Sequence, residues 1–152
     1  MKLTENLSLA EVTKSATAIR KGITNTPSAT HLIALKEVSK NIFQPCREHF
    51  GKPLAVTSGY RSEALNEAIG GSKTSQHSKG EALDLDADVF GGFSNAELFN
   101  YIKSSLDFDQ LIWEFGNNNN PAWVHCSYKT RGNRNEVLIA IKTNGKTTYR
   151  KL

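Results

Sequence analysis

The sequence predicts an α+β fold in which a mainly antiparallel sheet is packed with helices. Three observations predict it. Apolar residues recur every three or four positions from Leu32 to Cys46, the period of a helix with one buried face. In 81–88 and 108–128 apolar and polar residues alternate, the period of a half-buried strand. Asn144-Gly145 lies between two further strand-like runs, and this pair accommodates the positive φ angles of a tight hairpin turn. With 152 residues, 38% of them hydrophobic, and no internal repeat, the chain is expected to bury one core as a single domain over 1–152.

Taken in order, Ser8 is placed to cap a short helix with Leu9, Val12 and Ile19 near one face, ended by Gly22 and Asn25. Thr26-Pro27 reads as the cap and first residue of a longer helix, which carries Leu32, Leu35, Val38, Ile42 and Cys46. Pro45 should kink or end it near Gln44. Leu54–Thr57 reads as a short strand stopped by Ser58-Gly59, and a helix follows from about Glu63 to Ile69. After Gly70-Gly71-Ser72, a loop bearing His77 enters the strand that holds Asp84. Ser94 and Glu97 form a capping box for a helix that buries Leu98, Ile102 and Leu106. Phe108–Phe115 and Ala122–Tyr128 form one hairpin, and Val137–Ile141 and Thr147–Arg150 a second.

The net charge of +4 is unevenly placed: residues 129–152 hold seven basic side chains against the single Glu136. A basic face of this kind can attract polyanions or act only as a solvated surface. Nucleic acid is not expected as a partner, because no zinc-finger spacing, RNP-like aromatic pattern or helix-turn-helix signature accompanies the charge. Residues 1–6 lack the apolar stretch of a signal peptide, and no apolar run is long enough to span a bilayer. The expectation is a protein made in the cytosol, without a membrane partner. Cys46 and Cys126 sit within apolar patterns and read as two buried free thiols.

The chemistry-bearing residues converge on one possibility. His77, on a loop, and Asp84, on a strand, can supply two of the three nitrogen or oxygen ligands that a catalytic zinc ion commonly takes. His125, in Trp123-Val124-His125, is the candidate for the third. By strand alternation Gln110, Ile112 and Glu114 share a face, with Leu111, Trp113 and Phe115 opposite; Trp123, His125 and Ser127 share a face, with Cys126 turned away. Glu114 can therefore face His125 and serve as general base. Asp109, the reserve base, should face with Leu111 and Trp113. Ser75 and Gln76 can donate hydrogen bonds near the metal and Trp123 can wall the cleft, which makes the three candidates for binding substrate. Asp86 and Asp88 read as solvated strand-edge carboxylates or as partners of a zinc histidine, and His31 and His49 as packing or surface residues. Arg61 lies on a strand-to-helix turn, where position alone favours a surface salt bridge with Glu63 or Glu67.

Four motifs occur here in one order: Ser58-Gly59-Tyr60-Arg61-Ser62, the Ser-x-His-x-x-Gly-x-Ala-x-Asp run from Ser75 to Asp84, Phe108-Asp109-Gln110-Leu111-Ile112, and Trp123-Val124-His125. From about Leu7 to Tyr128 the chain thereby resembles the zinc D-alanyl-D-alanine peptidases of the M15 type, particularly the small bacteriophage forms. The resemblance implies a Hedgehog/D-Ala-D-Ala peptidase-like fold, one Zn²⁺, and hydrolysis of amide bonds in peptidoglycan stem peptides as a D,D-carboxypeptidase or endopeptidase. It also implies an endolysin-like monomer that reaches the wall after release by a separate phage lysis factor, and it moves Arg61 to substrate binding. Several relatives carry an acid three residues before the second histidine. Here that position is Ala122, which leaves the base to Glu114 or Asp109. A non-catalytic zinc-binding domain that recognises cell-wall peptides and a metal-free interaction module are the competing readings.

Overall fold

The computed structural model describes residues 1–152. Two short strands, β1 (Lys2–Thr4) and β2 (Leu7–Ser8), pair antiparallel at the start of the chain; both are too short to show an alternation. Ser8 then caps α1 (Leu9–Thr13) reciprocally with Glu11. The helix expected to run through Ile19 is two helices. Ser15 accepts a hydrogen bond from the Ala18 amide and starts α2 (Ala16–Lys21) afresh, which turns Ile19 out to solvent. The next helix, α3 (Ala29–Val38), is capped by Ser28 through the His31 amide, two residues beyond the expected cap at Thr26.

Pro45 changes the helix rather than ending it. Residues Ser39–Phe43 widen into a π turn, with the Gln44 amide donating to the Ser39 carbonyl, and α4 (Gln44–Phe50) continues with Pro45 in its first turn. Proline lacks the N–H that the regular ladder needs, and the wider turn ahead of it absorbs the missing bond. Along this rod Leu35, Val38, Ile42 and Cys46 are fully buried.

The main sheet contains β3 (Ala55–Ser58), β4 (Ala82–Asp86), β5 (Gln110–Glu114), β6 (Trp123–Ser127), β7 (Glu136–Thr143) and β8 (Lys146–Lys151), in the order β3-β4-β6-β5-β7-β8. It is mixed, which corrects the expectation of a mainly antiparallel sheet. β6 and β7 flank β5 on opposite sides, and β7 runs parallel to it. The cause is the connection 128–135, which crosses the start of β5 and begins β7 beside the beginning of that strand. Three backbone and side-chain bonds fasten the crossing: Asn135 N–H to the Phe108 carbonyl, Glu136 N–H to the Asp109 carbonyl, and Phe108 N–H to Asn135 Oδ1. Asn144 and Gly145 turn at φ 52° and 77°, closing the β7–β8 hairpin as expected.

Strand alternation divides the sheet into two faces. Leu83, Leu85, Leu111, Trp113, Val124 and Cys126 point to the helices, where they join Leu35, Val38, Ile42, Leu98 and Ile102 in one core. Full burial of each such aliphatic chain is worth about 1.5–3 kcal/mol. In the chain α5 (Glu63–Ala68) comes between β3 and β4, and α6 (Asn95–Ser105), with the expected Ser94–Glu97 capping box, packs on β5 and β6. The opposite face is open. Across it Asp84, His125, Ile112 and Leu138 form one cross-strand row and Trp123, Glu114, Ala140 and Tyr149 the next.

The end of β3 packs tightly on α1. A Cβ on Gly59 would stand 2.3 Å from the Val12 carbonyl oxygen and 2.8 Å from the Val12 Cβ, so no side chain fits without a backbone shift. Gly59→Ala is expected to lower the unfolding free energy by about 1–3 kcal/mol in a denaturant titration, the usual cost of overpacking. A variant as stable as the parent would show that α1 and β3 are not in this contact.

Candidate metal centre

The residues on either side of Gly59 place the first half of the site. Tyr60 N–H donates to the Val12 carbonyl at 2.7 Å, and the Gly59 carbonyl accepts from His77 Nδ1 at 2.7 Å. A carbonyl can only accept, so the His77 proton is on Nδ1 and the Nε2 lone pair faces inward. His77 itself sits on a single 3-10 turn, Gln76–Lys79, which Ser75 caps by accepting from the His77 amide. Gly80 ends that turn at φ 73°, with its α-carbon against the backbone of α3: an added Cβ would lie 2.5 Å from the His31 carbonyl oxygen. The turn is thus wedged between β3 and α3, and His77 is 3% exposed.

Strand register places the second half. Asp84 of β4 stands directly opposite His125 of β6. One carboxylate oxygen, Asp84 Oδ1, lies 3.3 Å from His77 Nε2 and 3.1 Å from His125 Nδ1. The candidate ligand atoms of His77, Asp84 and His125 all fall within 4.8 Å of one another. Tetrahedral zinc with bonds of about 2.0–2.1 Å holds its ligand atoms about 3.3 Å apart, so the nitrogen and oxygen donor set suits such an ion and the two distances from Asp84 Oδ1 match that spacing. Burial raises the pKa of Asp84, but in the metal-free protein the two imidazoles, each then turning an N–H and positive charge toward the carboxylate, outweigh it and hold the carboxyl well below its usual range.

These residues open onto a cleft of about 1000 Å³ on the polar face of the sheet. Glu114 lies on its floor, one cross-strand row from His125 and 7% exposed. Burial pushes its carboxyl up to about 7; His125 opposes the shift and Asp84 adds to it. Arg61 reaches the same cleft from the turn before α5. Asn25 holds that turn, donating to the Thr13 and Tyr60 carbonyls and accepting from the Ser62 amide. No carboxylate comes within ion-pair distance of Arg61, so the salt bridge with Glu63 or Glu67 is absent and Arg61 Nε is buried without a partner. Burial draws its pKa below the ordinary value, against the attraction of Asp84.

Other residues stand differently from their sequence expectations. Phe115 does not face the core with Leu111 and Trp113. It sits at φ 56°, a left-handed conformation that breaks the alternation and lays its ring on the cleft side, 5.4 Å from that of Trp123. Asp109 precedes β5 and does not share the core face. Its carboxylate is fully buried against Arg134, whose Nε and Nη2 donate at 2.9 and 2.8 Å, and these bonds hold its pKa down. Gln76 is committed at both ends, to His125 Nε2 at 2.9 Å and Asp109 Oδ2 at 3.0 Å. The Ser75 hydroxyl is occupied by its cap. Asp86 and Asp88 bond the Asn95 side chain at the start of α6, not a site histidine. Cys46 and Cys126 are buried free thiols, and His49 stacks on Tyr101. Arg134 and Phe115 escaped sequence reasoning. Arg134 carries no local signal because its partner is 25 residues away, and Phe115 because its conformation defies the pattern around it.

A comparison with protein families decides what this arrangement belongs to: the family described as Peptidase M15 matches residues 5–127. The chain belongs to that family. Membership indicates a peptidase, and the His-Asp-His group that could hold a metal ion lies wholly within the matched stretch. No curated protein matches the chain.

The raised Glu114 pKa has a stability consequence in the metal-free protein. Below its ordinary value of 4.5 the group is neutral folded or unfolded and costs nothing; as pH rises from 4.5 to about 7 the unfolded chain ionises while the folded one keeps its proton, so stability falls across that window and levels off above it. A rise of that size corresponds to about 3 kcal/mol. Glu114→Gln, with metal removed by chelation, is expected to be more stable than the parent at about pH 8 and equally stable at about pH 4 in urea titrations. Equal stability at both pH values would place the carboxylate in water.

Proposed function

We propose that the chain is a zinc-dependent peptidase that hydrolyses amide bonds in the stem peptides of peptidoglycan, as a D,D-carboxypeptidase or endopeptidase. The observation that carries this reading is the convergence of His77, Asp84 and His125 beside Glu114, a buried carboxylate outside that ligand set whose pKa stands near neutral. His77, Asp84 and His125 would hold the ion. When bound, Zn²⁺ supplies Lewis acidity, polarising a carbonyl and easing the deprotonation of water from a pKa of about 15.7 towards about 7.

The chain's own groups do the rest. Glu114, whose burial raises its pKa in the metal-free protein, stands on the cleft floor where it can accept a proton from water and return it to the leaving amine. Arg61, with no protein carboxylate to bind, offers its planar fork to a substrate carboxylate or a carbonyl oxygen that gains charge. Trp123 and Phe115 form an aromatic wall at the Glu114 end, suited to the apolar parts of a peptide. Ser75 and Gln76 line the cleft while bonding the His77 amide and the His125 ring. The fold is taken to be of the Hedgehog/D-Ala-D-Ala peptidase type. No helix is long and apolar enough to cross a membrane. The role in this reading is endolysin-like: a monomer that works in bacteriophage lysis and reaches the wall after a separate phage factor has opened the way.

Purified protein is expected to contain one zinc per chain by elemental analysis, and His77→Ala, Asp84→Ala and His125→Ala to lose it. Glu114→Gln should keep its zinc while release of stem-peptide fragments from purified peptidoglycan, followed by mass spectrometry, falls at least about 10²-fold. Zinc binding with no hydrolysis by the parent protein would instead support the non-catalytic, peptide-recognising domain. Arg61→Lys retains charge but loses the fork; the expected result is lower hydrolysis with an unchanged melting temperature. A large fall in melting temperature with hydrolysis intact would return Arg61 to a structural role.

A further inference from the structure

Four side chains form an unbroken line from the surface to the site. Arg134 donates to Asp109 through Nε at 2.9 Å and Nη2 at 2.8 Å, with its backbone amide at 3.2 Å. Asp109 Oδ2 also accepts from Gln76 Nε2 at 3.0 Å, and Lys129 Nζ stands 3.9 Å away. Gln76 Oε1 faces His125 Nε2 at 2.9 Å. Each link fixes the next. Arginine can only donate and an ionised carboxylate can only accept, so Asp109 must receive from both of its neighbours. A glutamine amide can turn either end, but beside a carboxylate it must present its NH₂, which leaves its oxygen for His125. An amide oxygen can only accept, so His125 carries a proton on Nε2, and the neutral ring then has its lone pair on Nδ1, the atom that faces Asp84.

We infer that Arg134, Asp109 and Gln76 are positioning residues whose donor–acceptor polarity sets the tautomer of His125 and so prepares Nδ1 to bind the metal. The inference rests on the zinc site proposed above. It also explains why a fully buried carboxylate and the loop 128–135 meet at this point: Arg134 reaches the site from beyond the residues that match the family. Groups that hold a metal-bound histidine from behind typically change metal affinity by about 10–100-fold when altered.

The polarity can be reversed and then restored. In Asp109→Asn the remaining oxygen serves Arg134 and the new NH₂ faces Gln76. Gln76 must then turn its own NH₂ towards His125, moving the imidazole proton to Nδ1 and removing the lone pair. Adding Gln76→Glu returns an acceptor to both neighbours, because one carboxylate oxygen takes the amide NH₂ introduced at position 109 and the other takes His125 Nε2–H. Zinc affinity would be measured by competition with a chelating dye, alongside the visible spectrum of the Co²⁺-loaded proteins and the circular dichroism of the metal-free ones. Asp109→Asn is expected to weaken zinc binding by about 10–100-fold and alter the cobalt spectrum, and the double variant to recover both to within about threefold of the parent. Affinity unchanged in Asp109→Asn, or lost in it and not regained in the double variant, would overturn the inference. Should Asp109→Asn fail to fold, Gln76→Leu takes its place: it removes the link without disturbing the Arg134–Asp109 pair, and parental zinc affinity in that variant would be equally fatal. A parent protein that binds no zinc would fail the proposed function itself, which separates the two results.

Discussion

A single carboxylate oxygen, Asp84 Oδ1, sits between two imidazoles, and much of the molecule can be understood as what keeps it there. Asp84 and His125 face one another because β4 and β6 pair in one antiparallel register. A slip of β4 by one residue would send Asp84 to the helix side and bring Leu83 or Leu85 into the cleft beside His125. The core residues flanking them on each strand, Leu83, Leu85, Val124 and Cys126, therefore specify the site as well as the stability of the fold. His77 does not share that register and depends on a different device, a tight turn wedged between β3 and α3.

Three carboxylates near the cleft have three different surroundings. Asp84 is ionised because its imidazole neighbours outweigh its burial. Asp109 is ionised because it is hydrogen-bonded to a guanidinium. Glu114 has neither support: burial dominates, and its pKa rises to the range where proton transfer at neutral pH is efficient. One kind of functional group thus stands as the proposed ligand, an anchor and the proposed base, and the difference lies in what each carboxylate touches.

What could be read from the sequence was what is local. The alternation in 81–88 and 122–128 puts Asp84 and His125 on faces that later prove to be the same one, and Asn144-Gly145 marks its own hairpin. The Ser94–Glu97 cap is a short local pattern and appears where expected. Features that depend on distant partners left no trace. The parallel pairing of β5 and β7 arises from a crossing loop fastened to Phe108 and Asp109, and nothing within the loop announces those partners. Phe115 obeys the alternating pattern on paper but takes a left-handed conformation, which exchanges a core position for a place beside Trp123. Ser15 restarts a helix that periodicity alone would have continued, because one hydroxyl captures the Ala18 amide.

The crossing at residues 128–135 also bears on how separable the parts of this protein are. Drawn as a list of strands, β7 and β8 are an appendage, a hairpin added to the edge of a sheet that already holds two of the proposed ligands and borders the third. The strand that begins at Glu136 is led to its place by the same loop whose Arg134 grips Asp109. The hairpin and the histidine on β6 accordingly share an anchor. A scaffold cut after β6, or a foreign hairpin grafted in its place, would inherit the three ligands but not the hold behind one of them.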